Sequence, residues 1–187
     1  MKYEVDLILN VHRCKYKKYK KYKKYKMIKN IEECVCIYNK KLQKNISIRK
    51  LRHTDYKNYI SLLSQLTNVG NITKEMFIEK IKEIEQNKYL HLYVISDDIN
   101  NKLIASGTLY VEPKFIHECS RLGHIEDIVV NSNYRGKKYG NLIIDLLVNI
   151  AKIVKCYKIT LVCSKKNIAF YNKCNFIQEG YEMVSRL

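Results

Sequence analysis

A chain of 187 residues with 47% hydrophobic composition holds enough material for one sizeable core and too little for two. Its formal net charge of +17 points to acidic partners, yet more than half of that excess lies in residues 12–29, HRCKYKKYKKYKKYKMIK, which contain no acid. No uninterrupted apolar stretch approaches the length that spans a bilayer, and the opening MKYEVDLILNVHRCK, with Glu4 and Asp6 in or beside its short apolar centre, makes a poor signal peptide.

The Lys-Tyr tract repeats every three residues, which matches neither the helical nor the strand period, so it has no apolar face to bury. Interleaved Lys and Tyr suit a nucleic acid backbone or an anionic membrane. The reading preferred here is a basic, disordered low-complexity extension covering residues 1–45. The seven cysteines (14, 34, 36, 119, 156, 163, 174) include no C-x-x-C pair, and the five histidines include no H-x-x-x-H pair. No metal site is expected, and the cysteines fit reduced thiols in a cytoplasmic protein.

From Ile46 the pattern becomes orderly. ISIRKLR alternates as a strand, with Ile46, Ile48 and Leu51 facing inward. Thr54 or Asp55 is placed to cap a helix over YKNYISLLSQL, and Thr73 to cap KEMFIEKIKEIEQN, where Phe77, Ile78, Ile81 and Ile84 recur at helical spacing. YLHLYVIS and KLIASGTLYVE, joined by DDINN, read as a hairpin. HIEDIVVN is the next strand. A helix with Ile143, Leu146, Leu147, Ile150 and Val154 on one face follows, then the strand KITLVCS, the short helix NIAFYNKC and a closing strand in FIQEGYEMVSRL. The order predicts an α/β (α+β) domain over residues 46–187, with a mixed sheet that is antiparallel first and parallel later.

At the corner between HIEDIVVN and its helix stands YRGKKYGNLII. The free N–H groups of a first helical turn carry the positive end of the helix dipole. Gly136 and Gly140 admit a ligand close to the backbone, and Arg135, Lys137 and Lys138 add positive charge, so a phosphate-bearing ligand fits. The spacing is neither a Walker loop nor G-x-G-x-x-G. It resembles the pyrophosphate loop of the GNAT acetyltransferase superfamily, [QR]-x-x-G-x-[GA]: Arg135 and Gly140 match, and Lys138 stands at the usual first glycine.

The blocks QLTNVG, EPKFIHECSRLGHIEDIVV, RGKKYGNLI, CYKITLVC, NIAFYNKCNF and the final M-x-x-R, in this order, resemble the eukaryotic glucosamine 6-phosphate N-acetyltransferases from about Ile46 onward. The resemblance implies a mixed sheet splayed open around acetyl-CoA, with no metal, and two chains forming a homodimer. It implies that the backbone of Gly136, Lys137, Lys138, Tyr139, Gly140 and Asn141, beside Arg135, holds the pyrophosphate. Ile128, Val129 and Val130 would pair with the pantetheine arm, with Asn167 and Lys173 completing the cofactor contacts. Tyr171 would stand beside the thioester sulfur and protonate the departing thiolate. Thr67, Lys114, Phe115, Ile116, His117, Glu126, Asp127, Ile128, Tyr157, Lys158 and Arg186 match the sugar phosphate site, with Tyr157 and Lys158 reaching across the dimer.

Read from the residues alone, Tyr171 is also compatible with a core aromatic, and His117 and His124 with polar surface histidines. Strand alternation lets the side chain of Glu126 or Asp127, not both, face one ligand. Where the family often has a carboxylate, this chain has Val162, so the resemblance implies a mechanism with little help from a base: Glu126 or Asp127 orients the amine and Tyr171 assists the leaving group. The expected reaction is acetyl transfer from acetyl-CoA to the 2-amino group of D-glucosamine 6-phosphate, toward UDP-N-acetylglucosamine. The alternatives are an acetyltransferase for protein lysine or a polyamine, and a polyanion-binding protein using the Lys-Tyr tract.

Overall fold

Four apolar segments pair antiparallel in chain order: β1 (Ile46–Lys50), β2 (Leu90–Asp97), β3 (Lys102–Pro113) and β4 (Arg121–Val130). β5 (Cys156–Thr160) then adds to β4 in parallel, so the sheet is mixed, in the order β1-β2-β3-β4-β5. This computed structural model describes residues 28–185; residues 12–27 of the Lys-Tyr tract and Arg186 lie outside the described residues.

Each face of the sheet carries its own core, because neighbouring residues of a strand point to opposite sides. Tyr93 and Ile95 of β2 pack with Ile143, Leu146, Leu147 and Ile150 of α4 (Tyr139–Ile153). Leu92 and Val94 pack instead with Tyr59 and Leu62 of α2 (Tyr56–Leu63) and with Phe77 and Ile81 of α3 (Lys74–Gln86). Ile46, Ile48 and Leu51 are all buried, but Leu51 belongs to the second core. Thr73 caps α3, accepting from the Met76 N–H at 3.2 Å. Asp55 precedes α2 without capping it: its carboxylate accepts from both terminal nitrogens of Arg49, at 2.7 and 2.9 Å, and from the Arg52 N–H.

The folded body begins upstream of Ile46. Helix α1 (Ile31–Asn39) occupies part of the segment expected to be a disordered extension. Asn30 caps this helix, its side chain accepting from the Glu33 N–H at 2.8 Å, and the Glu33 carboxylate accepts from the N–H of Lys29, one residue before the cap, at 2.8 Å. Cys34 is fully buried, and one turn later the Tyr38 hydroxyl donates to Asp145 of α4 at 2.6 Å and accepts from Asn149 at 2.8 Å. Burial first, and then Asp145, push the Tyr38 phenol far above its ordinary pKa, so it remains a donor.

The closing strand is not formed: residues 176–185 have no strand, and β5 ends at Thr160, short of the expected Ser164. A strand needs a neighbour to satisfy its backbone, and within this chain the described tail has none. Val154 terminates α4 as its C-cap.

Two residues of β4, Asp127 and Ile128, oppose the single residue Gly107 of β3, which makes a bulge. A Cβ at Gly107 would lie 2.6 Å from Ile128 Cδ1, 3.0 Å from Leu147 Cδ1 and 3.2 Å from Ile143 Cγ1, so glycine is what lets α4 rest on the bulge. Overpacking of this kind costs about 1–3 kcal/mol, and Gly107→Ala is expected to lower Tm by roughly 3–10 °C. A melting curve superimposable on that of the parent chain would contradict this packing.

Candidate active site

The ladder between β4 and β5 stops at His124 and Thr160, although β4 runs on to Val130. From Ile125 to Val130, therefore, the edge of β4 on that side has no strand partner among the described residues. Helix α4 starts beside this parting. Its N-cap Lys138 is in the left-handed region (φ 65) and offers no side-chain cap. No N–H from Gly136 to Asn141 finds an acceptor among the described residues. Gly136 has φ 77 and open space where a Cβ would stand. Together these features leave a row of bare donors at the positive end of a 15-residue helix.

The approach to α4 is fixed by its neighbours. The Ser132 N–H donates to Gln65 at 2.8 Å, the Tyr134 hydroxyl donates to Asp97 at 3.2 Å, and Arg135 Nε donates to the Val130 carbonyl at 3.1 Å. Lys137 lies over the Tyr134 ring, 5.3 Å from its centroid. Gly140 is required for contact: a Cβ there would come within 3.1 Å of Phe170, the residue before Tyr171.

Tyr171 sits in α5 (Ile168–Lys173), half-buried, with edge contacts to Phe170 at 5.1 Å and Phe176 at 6.2 Å between centroids. Burial is the main reason its pKa is raised, followed by Cys163, Cys174 and Glu126. The phenol is thus held protonated at neutral pH, the state a proton donor needs. Lys138, Asn141, Tyr171 and Lys173 line one groove with Tyr157 and Lys158. Asn141 also donates to Cys174 Sγ at 3.4 Å, which ties α4 to α5. Asn167 is the exposed N-cap of α5.

Glu126 keeps the strand alternation, pairing with Thr108, whereas Asp127 takes φ 51 in the bulge and is exposed as well, so both carboxylates are open to solvent at this point. The Glu126 pKa is raised by desolvation first, then by Asp127; His124 opposes and Glu182 reinforces the shift. Ile128 and Val130 are half-buried, whereas the Val129 side chain is buried in the second core, so Val129 has only its backbone to offer a ligand. Val162 lies just beyond β5, 58% exposed, and supplies no proton acceptor.

The remaining acceptor residues fall in two places. Thr67 is exposed at the end of α2. In the β3–β4 loop, Phe115 is 95% exposed, and His117, Glu118 and Cys119 take φ of 52, 59 and 57. Three consecutive left-handed non-glycine residues cost about 1–2 kcal/mol each, strain of the kind found at binding sites. The His117 ring lies against Tyr157 of the same chain, 4.2 Å between centroids. Lys114 is ion-paired with Glu112.

Reading the sequence did not single out Glu112 and Thr160, and it treated His124 as a surface residue. His124 Nε2 is 3.0 Å from Glu112, and His124 Nδ1 is 3.2 Å from the Thr160 hydroxyl. Polar residues at same-face positions of three strands were the available signal, but only the register brings them together.

Residues 56–176 match the Acetyltransferase (GNAT) family. The chain is similar to glucosamine 6-phosphate N-acetyltransferase 1 of Dictyostelium discoideum, with 46% identity over 140 residues, 74% of this chain and 88% of the relative. It is also similar to the crystal structure of glucosamine-6-phosphate N-acetyltransferase from Arabidopsis thaliana, with a TM-score of 0.73 and 36% identity over 76% of this chain and 99% of that one. A protein from Clostridium acetobutylicum described as a predicted acetyltransferase, solved with acetyl-CoA, shares the fold at a TM-score of 0.60 and 22% identity, over 76% of this chain and 96% of that one.

Proposed function

The chain belongs to the GNAT acetyltransferase family, and on that premise we propose that it transfers acetyl from acetyl-CoA to the 2-amino group of D-glucosamine 6-phosphate. The observation that carries this reading is the parting of β4 from β5 beside the uncapped start of α4, with Tyr171 on the same groove. Bare N–H groups and a left-handed glycine suit a pyrophosphate, and an unpaired strand edge suits the amides of a pantetheine arm, so the residues present fit acetyl-CoA.

When bound, acetyl-CoA supplies an activated acyl group. Gly136 to Asn141 hold its phosphates through backbone N–H groups, with Arg135, Lys137 and Lys138 adding charge. Ile128, Val129 and Val130 offer their backbone edge, and the family resemblance adds Asn167 and Lys173 to the cofactor contacts, with Lys173 lining the groove. Glu126 and Asp127 orient the acceptor amine; Glu126, with its raised pKa, takes up a proton more readily than an ordinary carboxylate. Tyr171 donates its hydroxyl proton to the departing sulfur. The family resemblance assigns Thr67, Lys114 to His117, Ile128, Tyr157, Lys158 and Arg186 to the sugar phosphate, whose charge the Lys and Arg side chains match; of these, Tyr157 and Lys158 line the groove beside Tyr171.

The same reading pairs two chains as a homodimer in the cytoplasm. Supporting the dimer is the described tail, where Tyr181 is 96% and Met183 92% exposed, since apolar side chains so placed mark interaction surfaces. A comparison of acceptors tests the substrate. Removing the phosphate from the sugar is expected to lower kcat/KM by at least about 10-fold, mainly through KM, because phosphate binding is shared by ground and transition states. Equal kcat/KM for glucosamine and its 6-phosphate would remove the sugar phosphate site.

A further inference from the structure

Asp97, the last residue of β2, is a buried carboxylate, and no ion pair among the described residues includes it. A charge so placed is costly unless hydrogen bonds replace its water. Neutral donors do so here: Asn45 Nδ2 donates to it at 3.3 Å, the Asn100 N–H at 3.2 Å, Asn100 Nδ2 at 2.8 Å and the Tyr134 hydroxyl at 3.2 Å. The two asparagines tie the β2–β3 turn to the start of β1. Tyr134 comes from elsewhere, closing the short turn Ser132–Tyr134 that leads from β4 into the cofactor loop. Its ring then meets the loop on either side of Lys138, the N-cap of α4. Lys137 Nζ stands 5.3 Å over the ring centroid, and Tyr139, the first residue of α4, meets the ring edge-on at 6.3 Å.

We propose that Asp97 is a positioning residue of the cofactor loop: through the Tyr134 hydroxyl it fixes the ring against which Lys137 and Tyr139 pack, and so sets where the bare N–H groups of Gly136 to Asn141 point. This rests on the reading of that loop as the pyrophosphate site. The anchor is rigid because Asp97 is paired on both sides, with Ile46 of β1 and Lys102 of β3. The end of β4 is held separately, by Gln65 through the Ser132 N–H at 2.8 Å. Losing the Tyr134 hydroxyl therefore frees the loop and leaves the strand in place. A loop ordered before its ligand arrives loses less freedom on binding, and that difference appears as affinity.

The test measures the Kd of CoA by calorimetry on the full chain, on Tyr134→Phe, on Asp97→Ala and on the double variant. Tyr134→Phe keeps the ring and removes only its bond to Asp97; it is expected to weaken CoA binding by roughly 3- to 10-fold, the size of one hydrogen bond. Because Asp97 acts through Tyr134, the double variant is expected to bind no more weakly than Asp97→Ala. Asp97→Ala also strips the asparagines of their acceptor; if it does not fold, Tyr134→Phe decides alone. A parent-like Kd in folded Tyr134→Phe overturns the proposal, as do losses that multiply in the double variant. The loop itself gives a readout without CoA: nitrogen-15 order parameters of Gly136 to Asn141 are expected to fall in Tyr134→Phe while those of β5 hold, and unchanged values in the loop also overturn the proposal. Failure of the functional reading looks different. A parent that binds CoA and acetylates no sugar phosphate would refute the substrate, and one that binds no CoA would refute the cofactor site, each seen before any variant is made.

Discussion

Replacing Tyr171 by Phe is expected to lower kcat for acetyl transfer by about 100-fold, with KM for acetyl-CoA changed by less than about 3-fold, the size of a general-acid contribution. The variant keeps the ring and its edge contacts to Phe170 and Phe176, so α5 and its packing stay in place. Only the hydroxyl is lost. Burial, Cys163, Cys174 and Glu126 all favour its protonated form. Loss of rate as pH rises through that raised pKa is expected in the parent and absent from the variant. Steady-state kinetics across pH check both points. An unchanged kcat would leave Tyr171 a packing residue.

The second large effect is expected at Gly136, where Val should raise KM for acetyl-CoA by about 10-fold or more while kcat changes little, because a left-handed backbone costs a non-glycine residue about 1–2 kcal/mol. Nothing lies within 4 Å of a Cβ at this position, so the penalty is conformational and not a collision. The loop would relieve it by rotating, and the row of N–H groups before Asn141 would no longer converge. Gly136 is exposed, so the melting temperature should hold. Cofactor titration and thermal melting of the same preparation separate the two effects. A parent-like KM would mean that this backbone does not hold the phosphates.

Much of this architecture is legible in the residues. The hairpin of β2 and β3, the Thr73 cap and the apolar stripe of α4 follow from local periodicity and capping, which a linear sequence displays directly. The cofactor loop stood out because two glycines and three cations precede a helix. Helix α1 did not, because it follows a compositionally biased tract and its evidence is long-range: Tyr38 meets Asp145 more than a hundred residues later. The Asn30 cap was its local signal. Alternation alone would turn Asp127 inward after the exposed Glu126, but Asp127 is exposed, since a bulge adds a residue that no period announces. The tail reads as a strand, yet pairing depends on a neighbour that residues 176–185 lack within one chain. The cluster of Glu112, His124 and Thr160 is a product of register, and its members are ordinary polar residues until three strands align.

The central claim is acetyl transfer to the amine of a phosphorylated sugar. The measurement that tests it most directly is release of free thiol from acetyl-CoA with D-glucosamine 6-phosphate and, in parallel, with a lysine peptide. Thiol release with the sugar phosphate, matched by formation of the N-acetylated sugar and absent with the peptide, is the predicted result. Release with the peptide alone would contradict it.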